Sequence, residues 1–140
     1  MHIREAHAGD DVAIATLVAD LKHPLTRDDV RARLPMLAAA GLPVLVADDG
    51  GVIGCATWSV MPVLHRPGPV GRISLLVVAA GWRGRGVGRR LVEAVEARCR
   101  DRGCVLVEVT SHERLAEAHG FYEAIGYRRT SVRFGKPLDS

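Results

Sequence analysis

Hydrophobic and polar residues first alternate in a short run and then follow a helical period. Residues 2–6 predict a short strand, and Asp10 or Asp11 can cap the helix that follows. A second helix is predicted to begin near Thr26, with Pro35 interrupting its pattern. The apolar positions of the two helices are Val12, Ala15, Leu17, Val18, Leu21, Val30, Leu34 and Leu37.

The next part of the chain predicts a hairpin followed by a buried strand. Residues 43–48 form a mostly apolar run that ends at Asp48, and the Asp-Asp-Gly-Gly turn at 48–51 leads into residues 52–61, an order typical of a hairpin. Residues 62–71 contain three prolines and predict an exposed loop. Residues 73–78 are almost continuously apolar, which predicts a strand buried on both faces near the centre of a sheet.

The second half of the chain predicts a strand, helix, strand crossover. An amphipathic helix ending at Gly103 is indicated by apolar residues that recur every four positions: Val87, Leu91, Val95 and Cys99. Residues 104–110 predict the next strand, parallel to the strand before the helix. Residues 115–125 predict a further helix, and residues 127–134 predict a last strand or pair of strands.

Composition is that of one folded domain over residues 1–140, with 48% hydrophobic and 25% charged residues. Cys55, Cys99 and Cys104 lack the spacing of metal ligands, so free thiols and no metal site are expected. Charges interrupt the N-terminal residues, and no run of 18 apolar residues occurs. We therefore expect a cytoplasmic protein without a membrane partner.

Positive charge is concentrated in one segment of the chain. The formal net charge of +3 is small, but four arginines lie within eight residues: Arg83, Arg85, Arg89 and Arg90. Glycines between them let the backbone approach a ligand, and the first-turn N–H groups of the predicted helix point into the same segment. We call residues 83–89 the Arg/Gly loop. Its composition and position predict a site for a compact anion.

Other interpretations of the Arg/Gly loop fit the sequence less well. The dinucleotide pattern G-x-G-x-x-G fails because Arg89 or Leu91 occupies its sixth position, and no Lys-Ser or Lys-Thr follows the glycines. Nucleic acid is not an expected partner, because two tryptophans, two tyrosines and two phenylalanines form no patch for base stacking. A tight turn with solvated arginines is the structural alternative.

Two motifs together resemble the general control-related N-acetyltransferase (GNAT) superfamily. The pattern Arg83-x-x-Gly86-x-Gly88 is similar to its coenzyme A pyrophosphate motif, and its closing segment is similar to Phe121-Tyr122-Glu123-Ala124-Ile125-Gly126-Tyr127. The similarity is nearly continuous from 73 to 138. It implies an α/β (α+β) fold: a mixed, mostly antiparallel sheet of about six or seven strands, flanked by about four helices, with a parallel pair at the cofactor site.

The resemblance also implies an activity and a cofactor. Acetyl-CoA would donate its acetyl group to the amine of a small-molecule acceptor, or of a peptide, by direct attack in a ternary complex. The tail at 131–138 is similar to small-molecule acetyltransferases, including the aminoalkylphosphonate branch. A homodimer is left open. The implied cofactor-binding residues are Leu76, Val77, Val78, Arg83, Gly84, Arg85, Gly86, Val87, Gly88 and Arg89.

Tyr122 is the general acid that the resemblance implies, since a phenol suits a thiolate leaving group. Its helical spacing with apolar neighbours also fits a core tyrosine.

The base is less defined, because Ser74-Leu75-Leu76 holds no carboxylate where many relatives have one. Glu108 or His112 is the preferred candidate, and the alternatives are His65 and His119.

Two further expectations follow from the resemblance. Leu115 replaces an asparagine that often contacts the cofactor, and acceptor specificity is expected from residues 21–28 and 61–70. Because the strand carboxylate is missing, a catalytically inactive acetyl-CoA-binding regulatory module is the alternative function.

Overall fold

The computed structural model describes residues 1–19, 21, 25–110 and 116–138. The chain forms two compact units, Met1–Glu108 and Val109–Ser140. Its strands and α-helices, in chain order, are β1 (His2–Glu5), α1 (Asp11–Val18), α2 (Arg27–Ala39), β2 (Leu45–Asp48), β3 (Val52–Met61), β4 (Val70–Val78), α3 (Val87–Asp101), β5 (Leu106–Val109) and α4 (Ala116–Ala124). The predicted elements are therefore confirmed in order and type up to residue 126.

The described residues form one sheet of five strands in the order β1-β2-β3-β4-β5. The first four strands pair antiparallel, and β4 and β5 form the parallel pair. The predicted class of fold is confirmed, but the sheet has fewer strands than expected. Residues 127–134 form no strand. Val132 and Phe134 are 70% and 92% exposed, so this segment has no buried apolar face that would hold it against a sheet.

Strand β4 differs from its predicted position and burial. It is the fourth of five strands, next to the edge strand β5, and not at the centre. Ile73 is buried, whereas Ser74 is exposed and Leu76 to Val78 are half-buried. Since β5 has only four residues against nine in β4, it cannot pair with the whole length of that strand, and burial of the faces of β4 depends on the helices. A nearly continuous apolar run therefore does not require burial on both faces here.

The sheet has a different helical cover on each face. Helix α3 packs on one face with the predicted residues Val87, Leu91, Val95 and Cys99 buried. A Cβ atom at Gly54 of β3 would lie 3.1 Å from Leu91 and 3.2 Å from Val87, so this close approach favours glycine. On the other face, α1 and α2 form a second core with the strand residues Val46 and Cys55.

Arg4, which is half-buried, and Asp10, which is buried, form an ion pair at the start of the chain. Two guanidinium nitrogens of Arg4 donate to the carboxylate of Asp10 at 2.9 and 3.0 Å, and a third donates to Asp48 at 3.0 Å. Asp10 is 5% exposed and also accepts a hydrogen bond from the backbone of His7. Asp10 directly precedes α1, but its side chain does not cap that helix as expected, because it is already occupied by these donors.

The hydrogen bonds from Arg4 are the main reason that the pKa of Asp10 lies below its usual value. A lowered pKa in the folded state stabilises the fold above about pH 4, and this contribution is lost as the pH falls through the lowered pKa. The pair therefore contributes fully at neutral pH.

We expect Asp10→Asn to lower the free energy of unfolding by about 2 kcal/mol, because Arg4 loses its buried ionic acceptor. Urea unfolding at neutral pH measures the change. Asp29→Asn is a matched control, since Asp29 likewise accepts a hydrogen bond from the backbone N–H three residues before it, that of Thr26, but in more exposed surroundings. A loss no larger than that of the control would contradict the prediction.

Candidate active site

The start of α3 has the geometry of an anion-binding site. Gly84 and Gly86 have φ angles of 76° and 81°, a region that glycine adopts without steric cost. Gly86 is the N-cap residue, and within residues 25–110 no side chain caps the helix there. The first helical turn closes with the hydrogen bond from Arg90 N–H to the Gly86 carbonyl. The N–H groups of residues 87–89 precede this bond and therefore have no acceptor within the helix.

The surroundings of the Arg/Gly loop are open. Apart from the adjoining residues of the chain, no heavy atom of the described residues lies within 4 Å of a Cβ atom placed on Gly84 or Gly86. The partial positive charge of the helix start and the arginine side chains act on the same space. This arrangement can hold the diphosphate of a nucleotide-type cofactor through main-chain donors.

The arginines of the Arg/Gly loop are exposed and differ in their contacts. Arg83 Nε donates to the Val78 carbonyl at 3.3 Å, which ties the loop to the end of β4. The Arg85 guanidinium lies 5.1 Å from the centre of the Trp82 ring, a cation–π contact. Arg89 pairs with Glu93 at 3.0 Å. Sequence analysis missed Trp82, although an aromatic residue so close to the arginines indicated such a contact.

The expected strand contacts lie directly before this loop. Leu76, Val77 and Val78 are half-buried and pair with Ala56, Cys55 and Gly54 of β3. The short 3-10 helix Ala80–Trp82 connects β4 with the Arg/Gly loop. The structure therefore brings all the predicted cofactor-binding residues together on the continuous segment from β4 to α3.

Glu108, one of the two preferred bases, is half-exposed on β5. Its Oε1 accepts a hydrogen bond from Arg72 Nη2 at 3.0 Å. Arg72 Nε is buried and has no hydrogen-bond partner among the described residues. The carboxylate of Glu108 is therefore already engaged by a guanidinium.

The other base candidates are three histidines in different parts of the chain. His112 lies outside the described residues, as does Leu115. His65 is exposed in the loop between β3 and β4. His119 Nδ1 lies 3.2 Å from Arg129 Nη2 within the unit Val109–Ser140.

Tyr122, the expected acid, lies on α4 in the unit Val109–Ser140. Its ring makes edge-to-face contacts with Phe121 at 5.1 Å and with Tyr127 at 5.9 Å between ring centres. Burial raises the pKa of the Tyr122 phenol above its usual value. The hydroxyl therefore stays protonated at neutral pH, as a proton donor must.

Three further features of the described residues concern the cysteines, metal binding and the lengths of the helices. Burial raises the pKa of the Cys55 and Cys99 thiols to about 12, and all three cysteines are unpaired thiols. Across residues 1–19, 21, 25–110 and 116–138, no group of three His, Cys, Asp or Glu side chains could hold a metal ion. No helix in the described part of the chain is long and apolar enough to span a membrane.

Comparison with known proteins identifies the family. A sequence model described as the Acetyltransferase (GNAT) family matches residues 13–127. The chain belongs to the GNAT acetyltransferase family. The predicted family, the acyl-CoA-dependent N-acetyltransferase class and acetyl-CoA as cofactor are thus confirmed.

Two curated relatives of this GNAT chain have named acceptors. Glucosamine 6-phosphate N-acetyltransferase 1 of Oryza sativa subsp. japonica is 36% identical over 80% of this chain and 70% of its own length. Aminoalkylphosphonate N-acetyltransferase of Salmonella typhimurium is 32% identical over 67% of this chain and 61% of its own length. The chain thus spans about two-thirds of the length of these relatives. Both are enzymes, which favours a transferase over the inactive regulatory module.

Solved structures show the same fold over nearly the whole GNAT chain. An acetyltransferase of Trypanosoma brucei is 26% identical and superimposes with a TM-score of 0.81. The similarity covers 98% of this chain and 99% of that one.

Proposed function

We propose that this GNAT chain transfers the acetyl group of acetyl-CoA to the amine of a small molecule, by direct attack in a ternary complex. The observation that supports this most is the start of α3, where no side chain in the described part of the protein caps the first-turn N–H groups and glycines leave the backbone open. If this helix start had only a structural role, a capping side chain would be expected there, because a cap stabilises the helix.

We propose that the cofactor-binding residues divide into two groups. The backbone of residues 83–89 binds the diphosphate, and the arginine side chains offset the charge of the remaining phosphate. Leu76, Val77 and Val78 line the path of the pantetheine arm along β4. The half-burial of these three residues supports this role, because a fully covered strand could not contact a ligand.

Bound acetyl-CoA supplies the acetyl group as a thioester. In the transfer, the amine nitrogen forms a bond to the acetyl carbon, the carbon–sulfur bond breaks, and the sulfur takes up a proton. Tyr122 is proposed to donate that proton, in agreement with its raised pKa. Glu108 or His112 is proposed to receive the proton that leaves the amine. An amine with a pKa of about 10.4 is protonated at neutral pH, so removal of its proton contributes to the rate.

We propose a small-molecule acceptor, with a peptide as the second candidate. The relatives named above act on an amino sugar phosphate and on aminoalkylphosphonates. An Aminoglycoside N(6')-acetyltransferase of Stenotrophomonas maltophilia is 33% identical over 98% of this chain. Residues 61–70 are proposed to take part in specificity, as are residues 21–28, of which 22–24 lie outside the described part.

The domain organisation, location and partners of the protein are proposed from its similarity to the same family. We propose that the two units act together as one N-acetyltransferase domain over residues 1–140, in the cytoplasm and without a nucleic-acid or membrane partner. A homodimer stays an open alternative.

The test is a screen of amines for acetyl-CoA consumption, in which a dye detects the released thiol. We expect turnover with at least one of four acceptor classes: amino sugar phosphates, aminoalkylphosphonates, aminoglycosides or peptides. Mass spectrometry of the product should show the added acetyl group on nitrogen. Tight coenzyme A binding without turnover of any amine would instead favour the inactive regulatory module.

A further inference from the structure

Two hydroxyl groups meet on the surface of the sheet beside β4. Thr57 Oγ1 of β3 and Ser74 Oγ of β4 lie 2.7 Å apart, at hydrogen-bond distance. Within this pair, one O–H donates to the other oxygen. One further O–H and several lone pairs remain for other partners. The pair can therefore accept an N–H and donate an O–H at the same time.

The pair lies at an irregularity of the sheet. Thr57 pairs with Leu75 and Trp58 pairs with Ile73, so Ser74 is the extra residue of a β-bulge in β4. Bulges re-aim side chains and are over-represented next to active sites. Ile73 is buried, whereas Ser74 is exposed. A hydroxyl pair that only joined two strands would not require a bulge, since ordinary cross-strand pairs do so.

The alternation of side chains along the strands shows which face the pair occupies. Cys55 belongs to the core beneath α1 and α2, and Thr57 follows it by two residues, so both lie on the same face. Arg72 precedes Ser74 by two residues and bonds to Glu108. The hydroxyl pair and the pair of Arg72 with Glu108 therefore form a polar area on the face opposite α3.

The direction of β4 relates this area to the proposed cofactor path. The Arg/Gly loop follows the C-terminal end of β4 at Val78. A cofactor held there by its diphosphate, with its arm along residues 78 to 76, has its thioester end directed toward Ser74. Ser74 is two residues, or roughly 7 Å, before Leu76 along the strand.

We propose that the Thr57–Ser74 hydroxyl pair binds the amine of the acceptor and directs its lone pair at the acetyl carbon. This rests on the proposed transferase function and names the residues that position the nucleophile. A neutral primary amine has two N–H donors and one lone pair. An N–H bound by the hydroxyl pair leaves the lone pair to point away from the strand and toward the thioester.

The test uses steady-state kinetics of the full chain with an amine that the wild-type protein acetylates. Ser74→Ala and Thr57→Val should each lower kcat/KM for the amine by about tenfold, the effect of one lost hydrogen bond in a positioned complex. The KM for acetyl-CoA should not change. Ser74→Thr and Thr57→Ser, which keep a hydroxyl, should retain most of the activity. The double variant should lose less than the product of the two single losses, because both remove the same pair.

Ser59→Ala is the matched control, because Ser59 is a half-buried hydroxyl two residues beyond Thr57 on the same strand. It should stay within about twofold of the wild type in kcat/KM. The proposal is overturned if Ser74→Ala and Thr57→Val behave like this control, or if they lower only thermal stability. If the wild type acetylates no amine, the transferase function fails, and this proposal fails with it. If the wild type turns over normally and the variants are unaffected, only the proposed role of the hydroxyl pair is rejected, and the transferase function is not.

Discussion

Gly86→Asp is expected to weaken coenzyme A binding by about 100-fold or more, measured by calorimetry. The new carboxylate would lie among the N–H groups at the start of α3, where the diphosphate is proposed to bind. Its charge repels the phosphates and its oxygens can accept the same hydrogen bonds. A loss of this size corresponds to about 3 kcal/mol of binding free energy.

A second glycine provides the control for this substitution. Gly50, in the turn between β2 and β3, has a φ of 77°, and a Cβ atom there would also lie more than 4 Å from every described atom outside the adjoining residues. Gly50→Asp therefore imposes a similar backbone strain, about 1 kcal/mol, without touching the Arg/Gly loop. It should bind coenzyme A normally. Equal loss of affinity in both variants would show that strain, and not the site, explains the result.

Tyr122→Phe is expected to lower kcat by about 100-fold or more while coenzyme A affinity stays unchanged, because only the proton donor is removed. The ring contacts with Phe121 and Tyr127 do not need the hydroxyl, so the fold should be retained. Since the pKa of Tyr122 is raised, the wild-type kcat should not decline through loss of this proton below about pH 10.

Tyr127→Phe is the matched control, since it removes a hydroxyl from the neighbouring ring. We expect it to change kcat far less than Tyr122→Phe. Normal turnover of Tyr122→Phe would remove this residue from the role of acid and favour its structural alternative. A fall in coenzyme A affinity without a fall in kcat would point to a contact with the cofactor instead.

The elements that the sequence predicted well are those that depend on local patterns. The four-residue repeat from Val87 to Cys99 was sufficient to predict α3 and its buried face. Thr26 does cap α2, with Asp29 completing the capping box. Glycines and arginines before an amphipathic helix predicted an open helix start, and the uncapped residues there agree with that prediction.

The features that the sequence did not predict depend on pairing between strands. Residues 127–134 were predicted to form a last strand or pair of strands, but Val132 and Phe134 are exposed, which no local pattern reveals. The ion pair of Arg72 with Glu108 joins residues 36 positions apart. The hydroxyl pair also depends on a bulge, which shifts the register by one residue. Without the sheet register, these partners could not be identified.

Close packing at Gly54 has a consequence for ligand affinity. The first turn of α3 sits directly on the sheet there, with Val87 and Leu91 against the backbone of β3. The main-chain donors of that turn are therefore fixed before any ligand arrives, so binding costs little ordering entropy at this point. At the proposed site, the strength with which a diphosphate is held would thus depend partly on a small residue of another strand, one that need not contact the ligand at all.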